Sequence, residues 1–206
     1  MHPNPTYRKT PVETSLAFAR DRSFGILMIN GPEGPLASHV PFVLSEDGRT
    51  AELHLVRSNP ILRSLAAPVT ALLAVSGPDG YVSPDWYGTP DQVPTWNYVA
   101  VHLRGTLSAQ PSDTLRAQLD RLSAQLENRL LPKPPWRIEK VSDDVLARLL
   151  RMIAPCRLDI LNVDSTWKLN QNKSAASRCG AADGVCSAGI GSETAALAAL
   201  MRLAKA

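Results

Sequence analysis

Long apolar runs are missing from this chain of 206 residues. No stretch approaches the ~20 residues a helix needs to cross a bilayer, and the opening MHPNPTYRKT has no apolar leader core. A cytoplasmic protein with no membrane partner is expected. Cysteine is scarce. The three residues, Cys156, Cys179 and Cys186, are an odd number with no CxxC pair and no Cys/His spacing suited to zinc, so they read as reduced thiols. The net charge of +3 comes without a Lys/Arg block, so composition permits a phosphate or nucleic-acid partner but demands neither. Four histidines never fall at HxH or HxxxH spacing, and no metal site is expected. A GxSxG elbow, a GxGxxG turn and a P-loop are all absent, which removes the usual signatures of acyl transfer and of nucleotide binding.

Aromatic residues are also few, 5%, yet Tyr81, Trp86, Tyr87, Trp96 and Tyr98 share one segment, YVSPDWYGTPDQVPTWNYVAVHLRG. Flat rings on a backbone stiffened by Pro84 and Pro94 suit a flat ligand or a subunit partner. The end of the segment alternates cleanly. Val99, Val101 and Leu103 point one way, while Tyr98, Ala100, His102 and Arg104 point the other, the period of a half-buried strand. The second face belongs to solvent, to a subunit interface or to a ligand.

The rest of the chain reads as mainly β with added helices, an α+β protein. A short helix at Glu13 to Arg22 precedes three strands, FGILMIN, LASHVPFVL and TAELHLV, in an antiparallel meander. Asn59 and Pro60 begin a short helix. VTALLAVSG returns as a strand ending at the Gly77-Pro78-Asp79-Gly80 turn. From Ser112 the leucines Leu115, Leu119, Leu122, Leu126 and Leu130 mark one helical stripe. Ser142 opens a second helix carrying Val145, Leu146, Leu149, Leu150 and Ile153, and CRLDILNV is a further strand. The small-residue run from Lys173 to Gly191 is the best candidate for a flexible segment, with a helix beginning at Ser192. A single domain over 1–206 is expected, with a β core over about 13–110 and 156–172. A helical insertion over about 112–154 and a helical tail over about 187–206 complete it.

Hydrogen-bond donors and cations gather beside apolar or aromatic groups in SHVPF, HLVRSNPILR, VPTWNY and TWKLNQNK. Arg57, Ser58 and Arg63, around a helix start, form a set a phosphate could use. The stretches ASHVPFVL, HLVRSNPILRSL, GPDGYVSPDWY, VPTWNYVAVHLRG, PWRIEKVSDDVLARLLRMI and WKLNQNKSAASRCG, in that order, resemble the PaiB-like, FMN-binding negative transcriptional regulators of bacteria. The likeness runs from Phe24 to about Gly184. It departs from the family in the short GTPDQ loop, which lacks a lysine, and in KSAASRCG.

The resemblance implies a split β-barrel of the pyridoxamine-phosphate-oxidase type, a homodimer with FMN at the subunit interface. It would place Ser38, His39 and Val40 along the flavin, His54, Arg57 and Ser58 near the ribityl phosphate, and Arg63 behind them. Thr95, Trp96, Asn97 and Tyr98 would line the ring, and Trp167, Lys168, Gln171 and Asn172 would close the site. Such a flavoprotein could pass electrons from a reduced nicotinamide nucleotide to a small acceptor. The alternatives are a transcriptional repressor working without flavin chemistry and a haem-binding split barrel using His39, His54 or His102. No helix-turn-helix, basic stripe or zinc finger gives direct DNA reading a physical basis.

Overall fold

The structure is a computed structural model and describes residues 1–204. Its strands are β1 (Phe24–Gly31), β2 (Gly34–Leu44), β3 (Thr50–Val56), β4 (Val69–Val82), β5 (Thr95–Ala109), β6 (Ile153–Lys168) and β7 (Gly191–Ser192). They form one antiparallel sheet in the order β1-β2-β3-β6-β5-β4-β7, and an additional β1–β4 pairing closes six of them into a ring. The helices are α1 (Val12–Arg22), α2 (Pro60–Arg63), α3 (Leu115–Glu127), α4 (Asp143–Leu150), α5 (Ala175–Ala188) and α6 (Thr194–Leu203). This is the expected mainly-β split barrel with added helices. The chain divides into two compact units, Met1–Ser15 with Ser76–His102 and Asp164–Ala206, and Leu16–Val75 with Leu103–Val163.

In the second unit, β1 and β2 form a hairpin through the Gly31↔Gly34 turn, and Ile26 to Ile29 pair with β4 from Ala74 to Ala71. The interior is apolar by simple alternation: Leu27, Phe42, Leu53, Leu73, Leu103 and Leu158 are fully buried. The β1–β4 crossing is tight at Gly25, where an added Cβ would lie 2.8 Å from the Ala74 carbonyl oxygen. On β5, Val99, Val101 and Leu103 are buried, whereas Tyr98, Ala100 and His102 are half-buried and Arg104 is exposed. Asn59 caps α2 by accepting from the Ile61 amide at 2.9 Å, with Pro60 in the first turn, as the sequence predicts.

Four local expectations change. The Gly77-Pro78-Asp79-Gly80 stretch is not a turn but the last third of β4, because it finds a partner strand: Asp79 pairs with Ser192 and Gly80 with Gly191. The segment from Lys173 to Gly191 is not a flexible run but holds α5, closed by the Ser174 hydroxyl accepting from the Ser177 amide and by Gly189 in a left-handed conformation. Its small residues serve packing, since Gly180 and Gly184 lie directly against Trp86. Ser142 stands at the start of α4 without a side-chain cap hydrogen bond. The α3 leucine stripe is buried only at its start: Leu115 is 2% exposed, but Leu126 and Leu130 are 37% and 51% exposed.

Candidate functional site

The expected site residues fall into two groups, one in each unit. In the second unit the group gathers where β2 leaves β3. The β2–β3 register covers only Phe42↔Leu53, Val43↔Glu52 and Leu44↔Ala51. Ser38, His39 and Val40 therefore pair with β1 on one side and have no partner on β3. A backbone edge opened in this way must find other hydrogen-bond partners. Asn59 Nδ2 bridges the opening by donating to Ser38 Oγ at 3.1 Å, so α2 is tied to β2 at this point. Val40 is buried in the core, Ser38 is half-buried, and His39 is exposed with its ring stacked on Phe24 at 6.3 Å.

The cations stand beside this opening. Arg57 is exposed; its Nε donates to the Arg151 carbonyl at 2.8 Å, leaving the end of the guanidinium without a carboxylate. Ser58 and Arg63 are exposed next to it, and Arg63 also lines a cleft with Leu36, Pro60 and Ser64. His54 is half-buried on β3, its Nδ1 has no hydrogen-bond partner, and burial lowers its pKa, so its imidazole is neutral at pH 7. The set fits a phosphate: two arginines, two serine hydroxyls and an open strand edge, with no acidic side chain in an ion pair with either arginine among the described residues.

In the first unit, β5 alternation separates neighbours in the TWNY motif. Asn97 is fully buried, with Nδ2 donating to Met201 Sδ at 3.5 Å and Oδ1 without a partner. Trp96 is 43% exposed, and its indole donates to Asp79 Oδ1 at 3.0 Å. Tyr81 stands edge-on to both Trp86 and Trp96, at 6.3 Å and 6.4 Å. Trp167 is buried and donates to Ser15 Oγ at 3.3 Å. Gln171 turns back to its own strand, accepting from the Leu169 amide and donating to the Trp167 carbonyl.

Thr95, Lys168 and Asn172 come together at a cleft that also takes in Tyr7, Tyr87, Asn170 and Lys173. Lys168 Nζ donates to Thr95 Oγ1, and the Tyr7 hydroxyl donates to Asn172 Oδ1 at 3.2 Å. Burial pushes the Lys168 ammonium below its usual range. Sequence reasoning took Asn59 only as a helix start and not as the residue that holds Ser38, and it did not single out Asn170, which sits at φ 60 in the cleft wall. The WKLNQNK motif contained the second signal, because an asparagine tolerates the left-handed region better than most residues.

Residues 1–162 match the family described as "Putative FMN-binding domain". The chain is 30% identical over 169 residues to the protease synthase and sporulation protein PAI 2 of Bacillus subtilis, covering 81% of this chain and 80% of that one. The chain belongs to the PaiB-like FMN-binding family. The fold agrees with that placement. The FAD and heme binding protein from Mycobacterium smegmatis superposes with a TM-score of 0.56 at 19% identity, over 79% of this chain and 73% of that one. The flavocytochrome Anf3 from Azotobacter vinelandii gives a TM-score of 0.52 at 15% identity, over 75% of this chain and 66% of that one. FMN is the cofactor of the PaiB-like family to which the chain belongs. No helix among the described residues is long and apolar enough to cross a membrane.

Proposed function

We propose that this PaiB-like protein is a homodimeric FMN-dependent oxidoreductase that holds the flavin phosphate on Arg57, Ser58 and Arg63, with Ser38, His39, Val40 and His54 beside it. The observation that carries this reading is the opening between β2 and β3, where Ser38 to Val40 lack a β3 partner next to cations that lack carboxylates. Bound FMN would accept two electrons from a reduced nicotinamide nucleotide and return them to a small acceptor. The chain's own residues bind and orient. Arg57 and Arg63 neutralise phosphate charge, and the Ser38 and Ser58 hydroxyls supply hydrogen bonds. Neutral His54 adds polarity without a third positive charge.

For the ring side the sequence motifs offer Thr95, Trp96, Asn97, Tyr98, Trp167, Lys168, Gln171 and Asn172, a separate group within the first unit. Trp96 offers an exposed flat face, and Lys168 offers an ammonium held by Thr95. Asn97, Trp167 and Gln171 act through backbone placement, since their side chains are engaged within their own unit.

FMN titration tests the reading. The purified protein should carry or take up flavin with absorbance near ~450 nm, and a Soret band instead would favour the haem alternative. Arg57→Ala should weaken FMN binding by about 1.5–3 kcal/mol, the worth of a hydrogen bond to a charged group. An unchanged titration would remove Arg57, and with it the proposed phosphate set, from the site.

A further inference from the structure

The first-unit cleft has a chemistry of its own. Its volume is about 290 Å³, at the small end of ligand sites, and two ammoniums, Lys168 and Lys173, line it. Lys168 and Lys173 are both half-buried, and neither ammonium has a carboxylate partner among the described residues. Each is positioned by a neutral oxygen and an aromatic ring: Lys168 by Thr95 and by Tyr7 at 6.0 Å, Lys173 by Gln92 and by Tyr87 at 5.1 Å. The Tyr7 and Tyr87 hydroxyls have pKa values raised by burial, so both keep their protons at neutral pH.

The decisive group is Asn170. It is 2% exposed, its Oδ1 accepts from the Tyr87 hydroxyl at 3.4 Å, and its Nδ2 has no acceptor. A buried amide donor left without a partner costs about 1–3 kcal/mol, and here it borders a cleft already lined by two ammoniums. The carboxylate lining the cleft, Asp91, is exposed and pairs with neither lysine. What the two ammoniums and the Asn170 amide lack is an acceptor carrying negative charge.

We propose that this cleft binds a small oxyanionic molecule, a carboxylate or a phosphate, with its oxygens on Lys168, Lys173 and the Asn170 amide. Two tyrosine rings and Val93 supply an apolar wall for the remainder of the ligand. Thr95, Lys168 and Asn172 also figure in the flavin proposal, so the test uses Lys173 and Asn170, which do not.

Benzoate and inorganic phosphate are titrated calorimetrically into the full-length protein, with and without saturating FMN. The expected result is saturable binding of one molecule per chain for at least one probe, weakened about tenfold or more by Lys173→Met, the loss of one charge-assisted contact. Asn170→Asp, which keeps the shape and tolerates the left-handed backbone but replaces the donor with a negative charge, should abolish it. FMN affinity should be unchanged in both variants, and their thermal melts should confirm folding. Benzoate alone binding assigns a carboxylate ligand, and phosphate alone assigns a phosphate. No saturation of either probe by about 10 mM, or full affinity in both variants, overturns the proposal. Binding that FMN displaces also overturns it, by giving the cleft to the flavin. Failure of FMN to bind, with anion binding intact, would sink the flavin reading and leave this one standing.

Discussion

Gly184→Ala is the sharpest test of how the first unit is packed. Gly180 and Gly184 stand one turn apart on α5 and form a flat strip for Trp86, which lies on the helical turn Pro84–Tyr87. A Cβ on Gly184 would lie 2.5 Å from Trp86 Cγ and 2.7 Å from Cε2, inside any real carbon contact. The Trp86 backbone also sits close on the helix, since a Cβ at Gly180 would lie 2.6 Å from its carbonyl oxygen. Helix propensity alone favours alanine by about 1 kcal/mol. Forcing a methyl into a filled contact typically costs about 1–3 kcal/mol, and moving the ring also weakens its edge-on contact with Tyr81, worth about 0.5–1.5 kcal/mol. The clash wins, and the variant should lose about 1–2 kcal/mol in urea unfolding. In a Trp86→Ala background the obstacle is gone, and the same substitution should stabilise by up to about 1 kcal/mol, a coupling of about 1–3 kcal/mol. A higher urea midpoint for Gly184→Ala alone, or an equal loss in both backgrounds, would refute the packing argument.

Lys168→Met should lower the flavin reduction potential while leaving FMN bound, because an ammonium near the ring favours added negative charge; potentiometric titration checks it, and an unchanged potential removes Lys168 from the ring side. Thiol labelling of the native protein should modify Cys179 and Cys186, which are exposed, and reach Cys156 only in denaturant. Burial pushes the Cys156 thiol up to about 12, so its contribution to stability is complete below the ordinary thiol range and is lost as pH rises from that range towards about 12. If the protein is the proposed homodimer, sedimentation should find a dimer at micromolar concentration; a monomer would count against it.

Local physics made much of the fold legible. The β5 alternation, the Asn59–Pro60 start of α2 and the apolar faces of the meander are consequences of near neighbours, and each appears where the spacing puts it. What escaped depends on partners distant in sequence. Gly77-Pro78-Asp79-Gly80 has turn chemistry, but β7, more than a hundred residues later, supplies the pairing that keeps it extended. The Ala/Gly/Ser run of α5 has the composition of a linker, and only the flat face of Trp86 gives those small residues a reason to be ordered. The site shows the same division. The sequence motifs point to Arg57, Lys168 and the TWNY strand as candidates, but not to the orphaned amide of Asn170, which is visible only once Tyr87 is seen to occupy the other end of that side chain.

The position of the opening between β2 and β3 follows from one residue. The Phe42 amide donates to the Ser23 carbonyl at 2.9 Å, so it points to the β1 side of the strand. Backbone amides alternate sides along a strand, and those of Val43 and of position 41 therefore point to β3. Val43↔Glu52 uses the first of these directions, and the next hydrogen-bonded pair in that register would be Pro41 with His54. Proline has no N–H to donate, which removes the ladder bond that would carry the pairing onward. The register stops at Phe42↔Leu53, one residue short of Pro41, and β3 continues through His54 to Val56 paired with β6 alone. The strands separate, Asn59 takes up Ser38 across the space, and His54 keeps an unsatisfied nitrogen at its edge. Pro41 thus links the sequence to the proposed site: it ends the pairing where Ser38, His39 and Val40 begin, and leaves their edge without a β3 partner.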